Sequence, residues 1–380
     1  MNKGTTEAAA PTVIVPTTMN WEVTRGGGLE SFLRDLAAEA QKRSIPLVLF
    51  STGSRELHLG CVTVKPIIER AVSEFAFVRA LRRRVRSDAS LVPSDGVILA
   101  NAEHYVWPFL STKRPILLLA HGAVPPTLAR VKGRLKAFVF EQTIEKRAVA
   151  RAALIAAVSE ETVRYYTEKF PSSRAKITRL PMGIDLSRIP RVPERFSSQS
   201  VHDAARPRVL FVGRLSREKG LPLLLSASSR LRTRAPRLQL IVVGEGPLAA
   251  WLQREARGNP HIHLLGSLPH VRVLELMQEC DVLAITSGYE GLPTVLLEAL
   301  ALGLPVVTTN VGVASEVVRP EIGVIAKAEP VAFAEGMEAA LRIDRTVARS
   351  FAASVRPDIS FTRTSDRLFE LLAKTAENRP

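Results

Sequence analysis

Short apolar segments recur along this chain of 380 residues and alternate with segments whose apolar positions have helical spacing. Segments that are apolar at every position, and not only at every second one, are typical of strands buried on both faces of a parallel sheet. Helical segments between such strands predict an α/β fold. The predicted strands cover residues 12–15, 46–50, 97–100, 116–120, 154–158, 209–212, 238–243, 262–264, 282–285 and 305–308. The predicted helices cover residues 29–42, 67–86, 160–169, 222–232 and 292–301.

The alternation is interrupted once, in a polar segment over residues 187–207. This segment contains Pro190, Pro193 and Pro207 and has no apolar period, as expected of an interdomain linker. Each flank is about the size of one doubly wound domain. We therefore expect two Rossmann-like, doubly wound domains that face each other across a cleft, with ligands outside the carboxyl ends of the strands. The predicted parts are a first domain over 1–190, a linker over 191–207, a second domain over 208–355, and a C-terminal helix over 356–380 that returns to the first domain.

The composition predicts the class of protein and its cellular compartment. Hydrophobic residues make up 46% of the chain and charged residues 23%, which is typical of a globular protein with a sizeable core. No apolar run reaches the ~18 residues that a membrane span needs, and residues 1–10 lack the apolar core of a signal peptide, so we expect a cytoplasmic protein. Cys61 and Cys280 are too few for a metal cluster or a disulfide framework and are interpreted as core residues.

The net charge of +15 is concentrated in two stretches of the first half. Residues 65–86 contain seven basic and two acidic residues, including the run Arg82, Arg83 and Arg84. In the second stretch, cations alternate with apolar residues at the spacing of an interfacial helix, which favours binding to an anionic membrane surface. An ordinary amphipathic helix with a solvated face is the alternative, and nucleic acid ranks last because no aromatic residues lie between the cations. This second stretch comprises the cations Arg130, Lys132, Arg134 and Lys136 and the apolar residues Leu128, Val131, Leu135 and Phe138.

The loop and helix after the predicted strand 282–285 carry two glutamates. Glu290 lies in the loop and Glu298 about two turns into the helix, roughly 9 Å further along its axis. Carboxylates at that spacing can accept hydrogen bonds from hydroxyls at two ends of one ligand. The helix start between them suits a phosphate and comprises Gly291, Leu292, Pro293 and Thr294, with Pro293 suited to the first helical position.

Two cations follow the first strand of the second half. Gly213 allows a tight exit from that strand, and Arg214 and Lys219 lie at its carboxyl end. A diphosphate carries about two negative charges, and two cations would both bind it and stabilise it as a leaving group. The alternative is that Arg214 and Lys219 are merely solvated side chains of a basic protein.

The first half has weaker candidates, also at the carboxyl ends of predicted strands. A glycine triplet before a helix lets backbone amides approach a ligand closely, although a flexible loop is an equal alternative. A histidine and a Glu-His pair are expected to point into the cleft, the pair as acceptor contacts, and a structural role is the alternative for each. The candidates are the triplet Gly26, Gly27 and Gly28, the histidine His121, and the pair Glu103 and His104.

The order of residues from Glu290 to Val307 resembles the GT-B glycosyltransferases of the large retaining family 4, or group 1. The mark of that family is two glutamates separated by seven residues, and here the first is followed by Gly-Leu-Pro and the second by a Gly-x-Pro-Val-Val strand. Residues 213–220 match its Gly-Arg-Leu-x-x-x-Lys-Gly donor loop. The resemblance covers most of the chain and is densest from 209 to 318.

This resemblance implies roles for the candidate residues. In the family the first glutamate, here Glu290, touches the donor sugar, and the second, here Glu298, touches the nucleotide ribose. Arg214 and Lys219 would hold the diphosphate, and His121 would lie near the donor sugar. The glycine triplet falls where the family has a loop near the diphosphate and the acceptor.

The implied function is retaining transfer of a hexose from a UDP- or GDP-sugar to a glycan or lipid-linked acceptor, in surface polysaccharide or glycolipid synthesis. The chain has no Asp-x-Asp motif and no His/carboxylate cluster with metal spacing, so we expect neither metal nor cofactor. Two other functions stay open. One is a non-hydrolysing nucleotide-sugar epimerase of the same fold, for which no cluster of acids and bases is apparent; the other is a non-catalytic membrane-surface scaffold, which the intact charged residues oppose.

Overall fold

A computed structural model of the chain describes residues 10–23, 28–70, 73–122, 133–190, 207–290 and 293–378. The chain forms two compact units, and each is an α/β unit with its own sheet. The first unit comprises Met1–Pro181 together with Thr364–Pro380, and the second comprises Met182–Arg363. The predicted linker lies outside the described residues except for Pro207.

The sheet of the first unit has eight strands in the order β3-β4-β2-β1-β5-β6-β7-β8. All neighbours are parallel except β3, which is antiparallel to β4 at one edge. The order reverses at β1, which pairs with both β2 and β5. The strands are β1 Val13–Asn20, β2 Leu47–Thr52, β3 Leu57–Leu59, β4 Val62–Ile68, β5 Val97–Ala100, β6 Ile116–Ala120, β7 Leu154–Ala157 and β8 Ile177–Arg179.

Helices connect these strands. A π-helical segment, Glu141–Glu145, joins the helices Arg134–Phe140 and Lys146–Arg151 into one continuous helical stretch. Glu103–Phe109, directly after β5, is a 3-10 helix. The α-helices described in this part of the chain are α1 Gly28–Lys42, α2 Glu74–Ser87, α3 Arg134–Phe140, α4 Lys146–Arg151 and α5 Glu160–Lys169.

The sheet of the second unit has six parallel strands in the order β11-β10-β9-β12-β13-β14, which is the doubly wound 3-2-1-4-5-6 order. The strands are β9 Arg208–Val212, β10 Gln239–Val243, β11 Ile262–Leu264, β12 Val282–Ile285, β13 Val306–Thr309 and β14 Gly323–Ala326. The helices are α6 Leu221–Arg232, α7 Ala249–Ala256, α8 His270–Glu279, α9 Thr294–Leu302, α10 Ala314–Val317, α11 Pro330–Leu341, α12 Arg345–Val355 and, crossing to the first unit, α13 Phe361–Glu377.

The continuously apolar strands are buried on both faces, as their sequence predicts. In β9, Val209 and Phe211 pack in the cluster that contains residues of α6 and α11, whereas Leu210 packs in the cluster that contains residues of α8 and α9. Full burial of each such side chain contributes about 1.5–3 kcal/mol. Cys280 is buried in the second of these clusters, Cys61 is half-buried, and both are free thiols.

The predicted helix over residues 67–86 is wrong in its first part. The chain continues as β4 to Ile68, and α2 begins only at Glu74. Ser73 caps this helix by accepting a hydrogen bond from the backbone N of Ala76 at 3.2 Å. The β-branched residues Val62 and Val64 favour the strand, and β3 and β4 were not predicted.

The boundaries of the two units in the sequence differ from the predicted ones. The first unit ends at Pro181 and not at residue 190, because Ile184 and Ile189 pack in the core of the second unit. Helix α13 belongs to the first unit from Thr364, whose Oγ1 donates to the carbonyl O of Pro181 at 3.0 Å. Arg43 of α1 forms an ion pair with Asp366 of α13 at 2.6 Å.

Gly220 gives a test of the close packing between the ends of β9 and β12. It has φ +65°, and a Cβ added there would lie 2.0 Å from the carbonyl O of Thr286. Gly258 has a similar φ of +76° but open space around it. We expect Gly258→Ala to cost only the left-handed backbone penalty of about 1–2 kcal/mol.

We expect Gly220→Ala to cost about 1–3 kcal/mol more, because the added methyl group forces the backbone apart. Differential scanning calorimetry of both variants measures the difference. Equal losses of stability in the two variants would show that the close approach to Thr286 does not constrain this turn.

Candidate functional site

The candidate site of the second unit lies where the strand order reverses. β9 pairs with β12 through Val209 and Val282, and with β10 on its other side. The loops that follow β9 and β12 therefore leave from adjacent carboxyl ends of a doubly wound sheet, where such sheets bind ligands. The loop after β9 carries Arg214 and Lys219, and the loop after β12 carries Glu290.

Backbone and hydroxyl hydrogen bonds hold these two loops together. The backbone N of Gly288 donates to the carbonyl O of Glu218 at 2.8 Å. Thr286 Oγ1 donates to the carbonyl O of Lys219, also at 2.8 Å. Thr309, at the end of β13, fixes the second loop in turn, since its Oγ1 donates to the carbonyl O of Ser287 at 2.6 Å. The backbone on which the charged side chains stand is thus well fixed.

The ammonium of Lys219 contacts the carboxylate of Glu290. The two residues form an ion pair and a hydrogen bond between Nζ and Oε1. Ser287 Oγ donates to the same carboxylate oxygen at 2.7 Å. The side chains of Lys219 and Glu290 are 23% and 13% exposed, so both are largely covered by protein and still reachable by a ligand. The sequence predicted both residues as site residues, and the structure brings them together.

Arg214 lies in the same loop after β9 as Lys219 and is exposed. Among the described residues it forms no ion pair, although its charge acts on Glu218. Partial burial raises the pKa of Glu218, but the hydrogen bond from Ser216 and the charges of Lys219 and Arg214 lower it overall. Gly213, which opens the loop, donates its backbone N–H to the carbonyl O of Val243 at 3.0 Å.

Glu298 lies on α9 and is bound to a residue that the sequence analysis missed. Its Oε1 is 2.8 Å from Nε2 of His270, the first residue of α8. Helix α9 begins at Thr294, so Pro293 takes the capping position and not the predicted first helical position. The predicted residues Gly291 and Leu292 lie outside the described part of the chain.

The corresponding edge of the first sheet carries His121, directly after β6. His121 is partly exposed as a residue, but its Nε2 is buried and has no hydrogen-bond partner among the described residues. Its ring contacts Phe32 of α1 edge-on, with 6.1 Å between the centroids. Burial lowers the pKa of His121 to about 4, so the imidazole is neutral at neutral pH.

The glycine triplet is only partly described. Gly28 begins α1 and is exposed, whereas Gly26 and Gly27 lie outside the described residues. Asn101, directly after β5 on the same sheet, was not predicted. It is buried, and both polar atoms of its side chain are without a partner among the described residues. The sequence could have indicated Asn101 only by its position as a polar residue directly after a buried strand. Many loop residues have that position, so it does not single out Asn101.

Glu103 does not lie where the sequence led us to expect. It is 2% exposed, and its carboxylate accepts a hydrogen bond from the hydroxyl of Tyr166 on α5. Burial raises the pKa of Glu103 to about 7, although the hydrogen bond from Tyr166 opposes that rise. This carboxylate is an interior group held by another helix, and it does not face an open edge of the sheet.

His104 is also held by neighbours within the first unit. Its ring lies 4.3 Å from that of Tyr105 and 6.0 Å from that of Phe75, between centroids. Its Nε2 is 3.5 Å from a carboxylate oxygen of Glu74, the first residue of α2. Burial lowers the pKa of His104, and the charge of Glu74 offsets part of that change. The structure therefore separates the predicted pair into an interior glutamate and a histidine packed at the start of α2.

The described residues contain no group of three or more histidines, cysteines, aspartates or glutamates that could hold a metal ion. The ammonium of Lys219 supplies positive charge beside Glu290, and Arg214 lies in the same loop as Lys219. Lys219 together with the carboxylate of Glu290, to which Ser287 also donates, can bind an anionic group beside a group rich in hydroxyls.

Comparison with known proteins finds matches along both units. The family "Glycosyltransferase Family 4" matches residues 26–188, and "Glycosyl transferases group 1" matches residues 193–353. A glycogen synthase of Mycobacterium tuberculosis is 33% identical over 232 residues, which cover 56% of this chain and 53% of that protein. The chain thus spans about half the length of this relative.

Two further similarities cover more of the chain. A GDP-mannose-dependent monoacylated alpha-(1-6)-phosphatidylinositol monomannoside mannosyltransferase of Corynebacterium glutamicum is 25% identical over 81% of this chain and 83% of its own length. The solved structure of a sucrose-phosphate synthase from Thermosynechococcus elongatus has a TM-score of 0.77 and 17% identity, covering 96% of this chain and 98% of that one. Its two-domain GT-B fold is the fold of this chain. The two family matches and the site residues at the reversal of strand order agree, and the chain belongs to the group 1 glycosyltransferases of family 4.

Proposed function

We propose that this protein is a retaining glycosyltransferase that moves a hexose from a UDP- or GDP-sugar to a hydroxyl of a glycan or lipid-linked acceptor. The observation that carries the proposal is the contact between Lys219 and Glu290 at the ends of β9 and β12. It places a cation suited to a diphosphate directly beside a carboxylate suited to sugar hydroxyls. The resemblance to the family motif around Glu290 and Glu298 supports the retaining outcome.

In this proposal Arg214 and Lys219 bind the diphosphate of the donor. Negative charge grows on the diphosphate as the bond to the sugar breaks, so cations fixed beside it stabilise the transition state. Lys219 has three donors, and the contact with Glu290 uses one of them, which leaves donors for phosphate oxygens. We propose that these two side chains take the place of a metal ion.

The two glutamates are proposed to bind the uncharged parts of the donor. Glu290 shares one oxygen with Ser287 and Lys219, and its second oxygen can accept from a sugar hydroxyl. Glu298 would accept from a ribose hydroxyl. His121 is neutral at neutral pH and can therefore form a hydrogen bond with an uncharged hydroxyl. We propose that the first unit binds the acceptor.

We also propose that the first unit attaches to an anionic membrane surface. Helix α3 exposes Leu135, Phe138 and Val139 to solvent at 77%, 59% and 51%, and the cations Arg134 and Lys136 lie on the same helix. Exposed apolar side chains beside cations fit shallow insertion among anionic headgroups. No helix in the described part of the chain has the length and apolar content to cross a membrane.

The predicted run of three arginines contributes unequally to such a surface. Arg82 packs over the ring of Trp107 at 4.2 Å from its centroid and is only half-exposed, whereas Arg83 and Arg84 are exposed. Arg83 and Arg84 are therefore the members of this run that can face lipid headgroups.

Glu290→Gln tests the catalytic part of the proposal. The variant keeps the size of the side chain and removes its charge, so we expect transfer from UDP- or GDP-hexose to a membrane-extract acceptor to fall about a hundred-fold or more. Released nucleotide and labelled glycan or lipid measure the transfer, and NMR of the product gives the anomeric configuration. Glu275→Gln, an exposed glutamate of α8, is the control. An unchanged rate in Glu290→Gln would refute the assigned role, and an inverted product would refute the retaining outcome.

Removal of either cation should weaken binding of the free nucleoside diphosphate. A charge-assisted hydrogen bond contributes about 1.5–3 kcal/mol, so we expect Arg214→Ala and Lys219→Ala each to raise the Kd about ten-fold or more in calorimetry. Arg217→Ala, in the same loop and exposed, should change it less than two-fold. Activity is expected to survive EDTA. Loss of activity in EDTA that a divalent ion restores would contradict the metal-free proposal.

Co-sedimentation with vesicles tests the membrane proposal. We expect binding to phosphatidylcholine vesicles only when phosphatidylglycerol is added, and reversal by high salt, because each cation near an anionic surface contributes about 1 kcal/mol. Substitution of Leu135 and Phe138 by serine should weaken binding. Val347→Ser, an exposed apolar residue of the second unit, should leave it unchanged. Failure to bind either kind of vesicle would favour an acceptor that is free in solution.

A further inference from the structure

His270 and Glu298 form a contact that joins two helices of the second unit. Nε2 of His270 lies 2.8 Å from Oε1 of Glu298. The side chain of Glu298 is 14% exposed and that of His270 is 48% exposed. We infer that His270 is a positioning residue, which holds the Glu298 carboxylate in the orientation that binds the ribose of the donor nucleotide. This inference rests on the proposed function, which gives Glu298 that role.

The two helices provide fixed positions for this contact. Helices α8 and α9 pack in the same apolar cluster, in which Leu274 and Met277 of α8 and Leu296 and Leu300 of α9 are buried. The start of α8 is thereby held against α9. A glutamate side chain alone has several rotamers, and the loss of that freedom on binding a ligand costs free energy. The contact with His270 selects one orientation before the nucleotide binds.

The chemistry of the contact leaves Glu298 able to bind a hydroxyl. An ionised carboxylate only accepts hydrogen bonds, so Nε2 of His270 is the donor. The donated hydrogen bond occupies Oε1 of Glu298, and Oε2 keeps lone pairs that can accept from a ribose hydroxyl. His270 thus orients the carboxylate without replacing the ligand.

Other ion pairs of α8 join residues within that helix and do not reach α9. Arg272, two residues after His270, pairs with Glu275 and Glu279 of its own helix. Two residues correspond to about 200° around a helix, so Arg272 lies on the far side from His270. Arg272 serves as the matched control, since it lies on the same helix and its substitution also removes a polar contact of a glutamate.

Calorimetric titration tests the inference on the full-length chain. UDP, GDP and ADP are first titrated into the unsubstituted protein, and the tightest of the three serves as the probe. We expect Glu298→Gln to weaken its binding about ten-fold or more. His270→Ala should weaken it about two- to five-fold, the range of a contact that is partly exposed. The double variant should bind no more weakly than Glu298→Gln, because His270 acts through Glu298.

Two further readouts separate positioning from a structural role. His270→Gln, whose amide can still donate to Glu298, should bind the probe like the unsubstituted protein. In transfer assays His270→Ala should raise the KM of the donor sugar and leave kcat unchanged. Arg272→Ala should change neither parameter. The melting temperatures of all variants, measured by calorimetry, should be alike.

The outcomes distinguish the inference from the proposed function. If Glu298→Gln weakens binding and His270→Ala does not, the positioning role is refuted and the donor site stands. If the losses add in the double variant, or if His270→Gln is as impaired as His270→Ala, His270 does not act by donating to Glu298. If Glu298→Gln leaves the affinity for all three nucleotides unchanged, the donor site itself is misassigned.

Discussion

The position of the candidate site depends on one pairing of strands, that of β9 with β12. β9 lies between β10 and β12, so the strand order reverses at this pair. The loops that follow β9 and β12 therefore lie next to each other at the carboxyl edge of the sheet. Lys219 and Glu290, separated by 71 positions in the chain, come into contact only through this pairing. With a different strand order, every motif would still be present in the sequence, but Lys219 and Glu290 would not come into contact.

The strand pairing alone does not place charged side chains with the accuracy that binding needs. The hydrogen bonds from Thr286 to Lys219 and from Gly288 to Glu218 fix the two loops to each other. Gly220 permits the closest approach, since a side chain there would collide with the carbonyl of Thr286. Lys219 and Glu290 can then remain largely covered by protein, because each charge faces its partner. The small and hydroxyl residues of the loops thus determine where the charged residues lie.

The sequence predicted the parts of this structure that depend on local pattern. Nearly all the buried parallel strands were predicted, because residues such as those of β6 and β12 are apolar at every position. The edge strand β3 and its neighbour β4 were not, since they are short or half-exposed and lack that pattern. His270 was missed because the residue it contacts, Glu298, lies 28 positions away on another helix. Contacts between side chains on different helices carry no local signature.

The two glutamates Glu103 and Glu290 show why a position after a strand does not define a site residue. Both follow a central strand of their sheet, and sequence spacing cannot tell them apart. Glu103 is buried against Tyr166, and burial raises its pKa to about 7. A carboxyl group that is buried and already held by a tyrosine hydroxyl is poorly placed to reach a ligand. Glu290 contacts the ammonium of Lys219 and remains accessible. What surrounds each carboxylate in three dimensions, and not its place in the chain, decides which of the two can act on a ligand.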